Sequence, residues 1–143
     1  MKWLLLIYKI AREPTAGRVY VWRKLKQLGA VSMQDAAWVL PATARTREQF
    51  QWLAAEIVEL GGEVSLFTSE LIYAHDEKAL QDAFEEPVRG EYESILTALK
   101  RRNPDLAALA KQYVQAKSRD YFSCKLGEQV RARLLKAQGD TSL

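Results

Sequence analysis

One cysteine, Cys124, and one histidine, His75, are all that 143 residues offer of thiol and imidazole. A lone cysteine excludes an intramolecular disulfide, and it leaves no Cys cluster for zinc. A glycine-rich phosphate loop is also missing, because Gly61-Gly62 ends a helical pattern instead of opening one. The opening apolar run is too short to cross a bilayer and is interrupted at Lys9. It lacks the basic, apolar and small-residue layout of a secretory signal, so the expected compartment is the cytoplasm, with no membrane partner.

What remains is a composition with 48% hydrophobic and 27% charged residues, that of a soluble globular chain long enough for one ordinary domain. The net charge of +3 hides a segregation. Residues 1–60 hold nine Lys/Arg against five Asp/Glu, residues 61–99 two against nine, and residues 100–143 ten against four. Basic segments at both ends suit a polyanion partner, and solvated faces that happen to sort this way are the alternative.

The chain is organised around Lys2–Ile10. Side chains alternate along a strand, so Trp3, Leu5 and Ile7 face one way and Leu4, Leu6 and Tyr8 the other. Both sets are apolar, which predicts a central strand covered on both faces. A helix follows over Thr15–Leu28, with Pro14 at its entrance and Gly29 at its exit. Its buried stripe is expected to be Val21, Trp22, Leu25 and Leu28, with Arg18 in line at the first turn. Two short strands, 30–34 and 36–41, come next, joined near Gln34-Asp35. A second helix over Thr46–Leu60 takes Thr46 as N-cap and Gln49 as the capping-box partner, and buries Phe50, Leu53, Ala54, Ile57 and Leu60. Residues 63–68 form a last strand. The order βαββαβ is that of the ferredoxin-like motif, whose first and third strands are central.

Residues 76–138 repeat apolar positions at helical spacing: Val88, Tyr92, Ile95, Leu96 and Leu99, then Leu106, Leu109, Ala110, Tyr113 and Val114, then Val130, Leu134 and Leu135. Asn103 and Pro104 read as N-cap and first helical residue between the first two, and 138–143 as a frayed tail. The fold class is thus α+β, a ferredoxin-like βαββαβ core (1–74) with a C-terminal helical extension (75–143), in one domain. The extension, or a second subunit, is expected to cover the sheet face that the two core helices leave open.

Several runs carry a family resemblance. Trp3–Tyr8, Arg18-Val19 and Trp22-Arg23-Lys24-Leu25-Lys26-Gln27-Leu28-Gly29-Ala30 resemble the start of ChrB, the bacterial chromate-resistance regulator. Met33-Gln34-Asp35, Trp38-Val39-Leu40-Pro41-Ala42-Thr43, Arg45-Thr46-Arg47-Glu48-Gln49, Gln51-Trp52-Leu53-Ala54 and Gly61-Gly62-Glu63 continue it, and Arg119-Asp120-Tyr121-Phe122 resembles its closing segment. The resemblance covers nearly all of this chain but only the N-terminal domain of that family, whose members normally carry a second, C-terminal domain. It implies regulation of a chromate-resistance operon. More remotely, the βαββαβ unit is similar to small CRISPR-adaptation nuclease-like proteins and to the core of the phenylacetate-pathway repressors.

Three readings of function follow. The first is a DNA-binding regulator domain without catalysis, with Arg18, Arg23, Lys24, Lys26, Arg45 and Arg47 on phosphates. The second is a dimerisation or structural module. The third is a metal-dependent nuclease-like protein, disfavoured because Tyr8-Lys9-Ile10-Ala11-Arg12 stands where those nucleases carry an aspartate. Asp35, the nearest alternative acid, fits a turn or an Arg18 partner. An oxyanion such as chromate is expected at the start of the second helix, held by Arg18, Arg45, Thr46 and Arg47. No cofactor or metal is expected, and a homodimer is. His75 reads as a surface residue at a helix entrance, Cys124 as a partly buried inert thiol, and Lys100-Arg101-Arg102 as a solvated helix end.

Overall fold

The computed structural model describes all residues except Asp35, Ala36, Ala74 and Leu143, and all side chains except theirs and those of His75, Asp76 and residues 140–142. The expected roles of Asp35 and of the His75 side chain therefore lie outside the described residues. In chain order the elements are β1 (Lys2–Lys9), α1 (Thr15–Leu28), β2 (Val31–Gln34), β3 (Ala37–Pro41), α2 (Ala44–Glu59), β4 (Glu63–Glu70), α3 (His75–Leu99), α4 (Leu106–Ser118) and α5 (Lys125–Ser142). The fold is α+β, in the expected βαββαβ order with helices after it. Two compact units are present, Met1–Leu80 and Gln81–Leu143, which part inside α3.

In the first unit the strands line up β2-β3-β1-β4, each antiparallel to its neighbour. The first and third strands are central, as their fuller apolar content predicts. Leu6 lies opposite Trp38 on one side and Leu66 on the other, so all three share a face with Leu4, Tyr8, Leu40 and Thr68. Trp3, Leu5 and Ile7 share the reverse face with Val39 and Phe67. Edge strand β2 is short and bulged between Ser32 and Gln34, which blunts its free edge.

Both α1 and α2 lie on the Leu6 face. The Lys26 ammonium of α1 sits over the Trp38 ring, and Arg47 of α2 donates to Thr68 Oγ1 at 3.4 Å. Their buried residues are Val21 and Leu25 from α1 and Phe50, Leu53 and Ile57 from α2. Each such side chain contributes roughly 1.5–3 kcal/mol by leaving water. Trp22, expected in the α1 stripe, is instead 51% exposed, and Leu60 stands outside α2 at 45% exposed. The reverse face is unevenly covered: Trp3 and Val39 are buried, whereas Ile7 and Phe67 are about half exposed. Two glycines close the α2–β4 turn. Gly61 takes φ +83°, and a Cβ at Gly62 would stand 2.8 Å from the Lys9 carbonyl oxygen.

The α2 start differs from the expectation. Thr43 is the N-cap, accepting from the Thr46 amide at 3.0 Å, while the Thr46 hydroxyl accepts from the Thr43 amide at 2.9 Å. Thr46 also donates to the Pro41 carbonyl at 2.5 Å, and its burial makes it the tie between β3 and α2. Threonine serves at the third position because its hydroxyl reaches back as a Glu or Gln would.

The second unit packs α3, α4 and α5 about Val88, Tyr92, Ile95, Leu109, Ala116, Val130 and Leu134. Asp105, not Asn103, caps α4, taking the Ala108 amide at 3.1 Å, while Asn103 turns the chain at φ 52°. Asn103 fits that role because its short polar side chain tolerates the left-handed region. Val114 and Leu135, expected in the apolar stripes, are exposed, and α5 runs on through the expected tail to Ser142. None of the helices, among the described residues, is long and apolar enough to cross a membrane.

Leu6 is fully buried and Ile7, the next residue, is 43% exposed. Leu6→Glu should therefore cost on the order of 4 kcal/mol or leave the chain unfolded, because the carboxylate has no partner inside. Ile7→Glu should cost about 1 kcal/mol or less. Urea denaturation of the two variants checks the contrast, and equal losses would mean that the faces of β1 are misassigned.

Candidate functional site

Burial of Val21 and Leu25 sets the rotation of α1, and that rotation decides where its cations go. Arg18, Trp22 and Lys26 are spaced four apart and so lie along one flank. This flank overhangs the β3–β2 side of the sheet. Between helix and sheet opens a groove of about 830 Å³. Thr15, Arg18, Val19, Trp22, Arg23 and Lys26 line it from the helix, and Tyr8, Ser32 and Trp38 from the sheet. Among the described residues that line it, none is acidic.

Lys26 organises the groove. Its ammonium stands 5.6 Å from the centroid of Trp22 and 5.9 Å from that of Trp38. One charge thus faces both an exposed indole and a buried one, within cation–π range of each. Trp38 is 5% exposed, and its Nε1–H finds no acceptor among the described residues. At the other end, burial pushes the Tyr8 phenol above its ordinary pKa, and the nearby Arg18 guanidinium opposes the shift. Tyr8 is therefore a neutral hydroxyl beside a permanent cation. The groove combines three cations, three hydroxyls and an indole surface, a donor set for an anion with an aromatic platform at its side.

The other expected site residues fall elsewhere. Lys24 is across α1 from the groove, with its ammonium 5.8 Å from the Tyr20 ring. Tyr20 in turn donates to Glu56 of α2. Arg45 and Arg47 lie at the head of α2, both exposed, with Arg47 beside Thr68. Thr68 pairs with Leu4, whereas Arg18 is beside Tyr8, four residues further along β1. At about 3.3 Å per residue those positions are roughly 13 Å apart along the strand alone. The expected oxyanion set of Arg18, Arg45, Thr46 and Arg47 is thus not brought together, and the Thr46 hydroxyl is committed to Pro41 and Thr43. Sequence reasoning missed Tyr8, Trp22, Ser32 and Trp38 as lining residues, although the four-residue spacing of Arg18, Trp22 and Lys26 was a readable signal. Among the described residues no group of three or more His, Cys, Asp or Glu side chains is placed to hold a metal.

The segment Arg119-Asp120-Tyr121-Phe122 is a clasp within the helical unit. Arg119 Nη2 reaches both Glu91 carboxylate oxygens, at 2.6 and 2.7 Å. Asp120 accepts from the Tyr92 hydroxyl at 2.9 Å and from the Cys124 amide at 2.9 Å, just before α5 begins. Tyr121 and Phe122 each pack on Phe84 with ring centroids 5.9 Å apart. Gly127 is pressed to Tyr92, where a Cβ would meet ring carbon Cε2 at 2.9 Å. Cys124 is free and half-buried in this clasp, and Lys100, Arg101 and Arg102 are exposed at the α3–α4 turn.

An α+β domain with a basic, aromatic groove beside its edge strand is the class that fold and site define. Residues 18–117 match the family model described as Protein ChrB, N-terminal. The chain belongs to this ChrB N-terminal family. It is also 34% identical over 62 residues to Protein ChrB of Cupriavidus metallidurans, a stretch that covers 43% of this chain and 19% of that protein.

Burial first, then the hydrogen bond and charge of Asp120, hold the Tyr92 phenol well above the ordinary tyrosine value. The folded-state pKa is raised, so the contribution is complete below the unfolded value of about 10 and is lost as pH rises toward the folded one. Tyr92→Phe should cost about 1 kcal/mol at neutral pH, from one lost hydrogen bond. It should also flatten the fall in stability above pH of about 10 relative to the parent. Denaturation curves at neutral and alkaline pH test both, and an unchanged alkaline slope would contradict the assignment.

Proposed function

We propose that this chain is the nucleic-acid-contacting domain of a chromate-resistance regulator, with DNA phosphates on the groove flank of α1 and no catalysis performed on them. The observation that carries this reading is the convergence of Arg18, Arg23 and Lys26 on one open groove with no acidic side chain among its described lining. Guanidinium groups recognise phosphate by paired hydrogen bonds, and the ammonium acts as a point charge. Membership in the ChrB family supports the regulatory context. Arg45 and Arg47, at the opposite end of the sheet, are secondary phosphate contacts at most in this account.

Phosphate contacts carry little sequence information, so their loss has a recognisable signature. Replacing Arg23 and Lys26 with glutamine should weaken operator and random duplexes by similar factors. Each lost contact should flatten the slope of log affinity against log salt by about 0.9. Arg23→Gln with Lys24→Gln should give about half that change, because only one of the pair faces the groove. A salt series on the gene's upstream DNA makes the comparison. An unchanged slope in a folded Arg23/Lys26 variant would exclude the groove as the DNA surface.

A further inference from the structure

The groove is more than a cationic patch, because an indole interrupts its line of charges. Trp22 lies between Arg18 and Lys26 on the α1 flank and keeps half of its surface in water. Backbone neutralisation requires cations alone and makes no use of an aromatic ring set among them. The Lys26 ammonium also stands within cation–π range of both Trp22 and buried Trp38. A half-open indole flanked by guanidinium groups is the arrangement that stacks an unpaired base while cations hold the phosphates on either side.

We propose that the groove takes an unpaired nucleobase, in a single strand or flipped from a duplex, stacked on Trp22 with its flanking phosphates on Arg18 and Arg23. The proposal rests on the nucleic-acid reading of this groove and adds what is bound there. Inside a duplex both faces of a base are already covered, so stacking on Trp22 requires a base that has left the helix. Val19 and the Tyr8 ring supply further apolar lining beside that platform.

The test uses the full chain and two single strands of equal length and charge, one with its bases and one made of abasic sugar-phosphate units. The parent should bind the intact strand between about fivefold and about 150-fold more tightly than the abasic one, the range for stacking one base on an aromatic side chain. Trp22→Ala should bind both strands alike, at the parent's affinity for the abasic strand. Trp22→Phe should restore most of the preference. A melting curve shows whether each variant is folded, and Trp22→Leu, apolar but without a ring, takes the place of Trp22→Ala should that variant fail to fold. Equal binding of both strands by the parent would overturn the stacking proposal. In that case, weakening of both by Arg23→Gln with Lys26→Gln would leave the phosphate reading standing alone. No binding of the parent to either strand or to duplex would remove both.

Discussion

Strand β1 is hydrogen-bonded along both edges and apolar on both faces, and the first unit is arranged around that constraint. Its Leu4 and Leu6 require cover, and α1 and α2 supply it with Val21, Leu25, Phe50, Leu53 and Ile57. Once Val21 and Leu25 are turned inward, helix geometry sends Arg18, Trp22 and Lys26 to one flank. That flank overhangs Trp38 and Ser32, so the groove is a by-product of core packing, built on rigid elements. A loop site would lack this property. The side chains of the groove are placed by the same residues that hold the domain together.

The helical unit follows a different logic. A buried tyrosine, Tyr92, needs a partner for its hydroxyl, and Asp120 provides it while also taking the Cys124 amide ahead of α5. One carboxylate therefore joins the middle of α3 to the start of α5. Arg119, which ends α4, and Glu91 of α3 add an ion pair at a partly exposed position, where such a pair contributes modestly. Gly127 lets α5 approach the Tyr92 ring, and any side chain there would push the two apart. This explains Arg119-Asp120-Tyr121-Phe122 as architecture, with each of its four side chains engaged inside the unit.

Much of the fold was legible in the residues. The α1 boundaries could be read from Pro14 and Gly29, and the sheet order from the fuller apolar content of 3–10 and 37–41. The failures have physical causes. Trp22 fits an apolar stripe by angle, but the stripe's edge depends on how the helix rolls on the sheet. Thr46 has the chemistry of an N-cap, yet Thr43 is three residues earlier and lets Thr46 bury its hydroxyl on Pro41. Asn103 lost its capping role to Asp105 because the chain needed a left-handed turn there. The clasp was invisible because Tyr92 and Asp120 are 28 residues apart, and no local pattern joins them. The separation of Arg18 from Arg47 likewise follows from topology, which starts α1 and α2 at opposite ends of the sheet, and Lys24 is turned away by the rotation of α1.

The central claim is that nucleic acid is met by the groove flank of α1, and residue-level mapping tests it most directly. Backbone amide shifts of the full chain would be followed by NMR as an unlabelled oligonucleotide is added. Changes should concentrate at Arg18, Trp22, Arg23 and Lys26, with Ser32 and Trp38 on the sheet side. Little should change at Arg45–Arg47 or in α4 and α5. Changes centred on the head of α2 or on the helical unit, with the α1 flank silent, would contradict it.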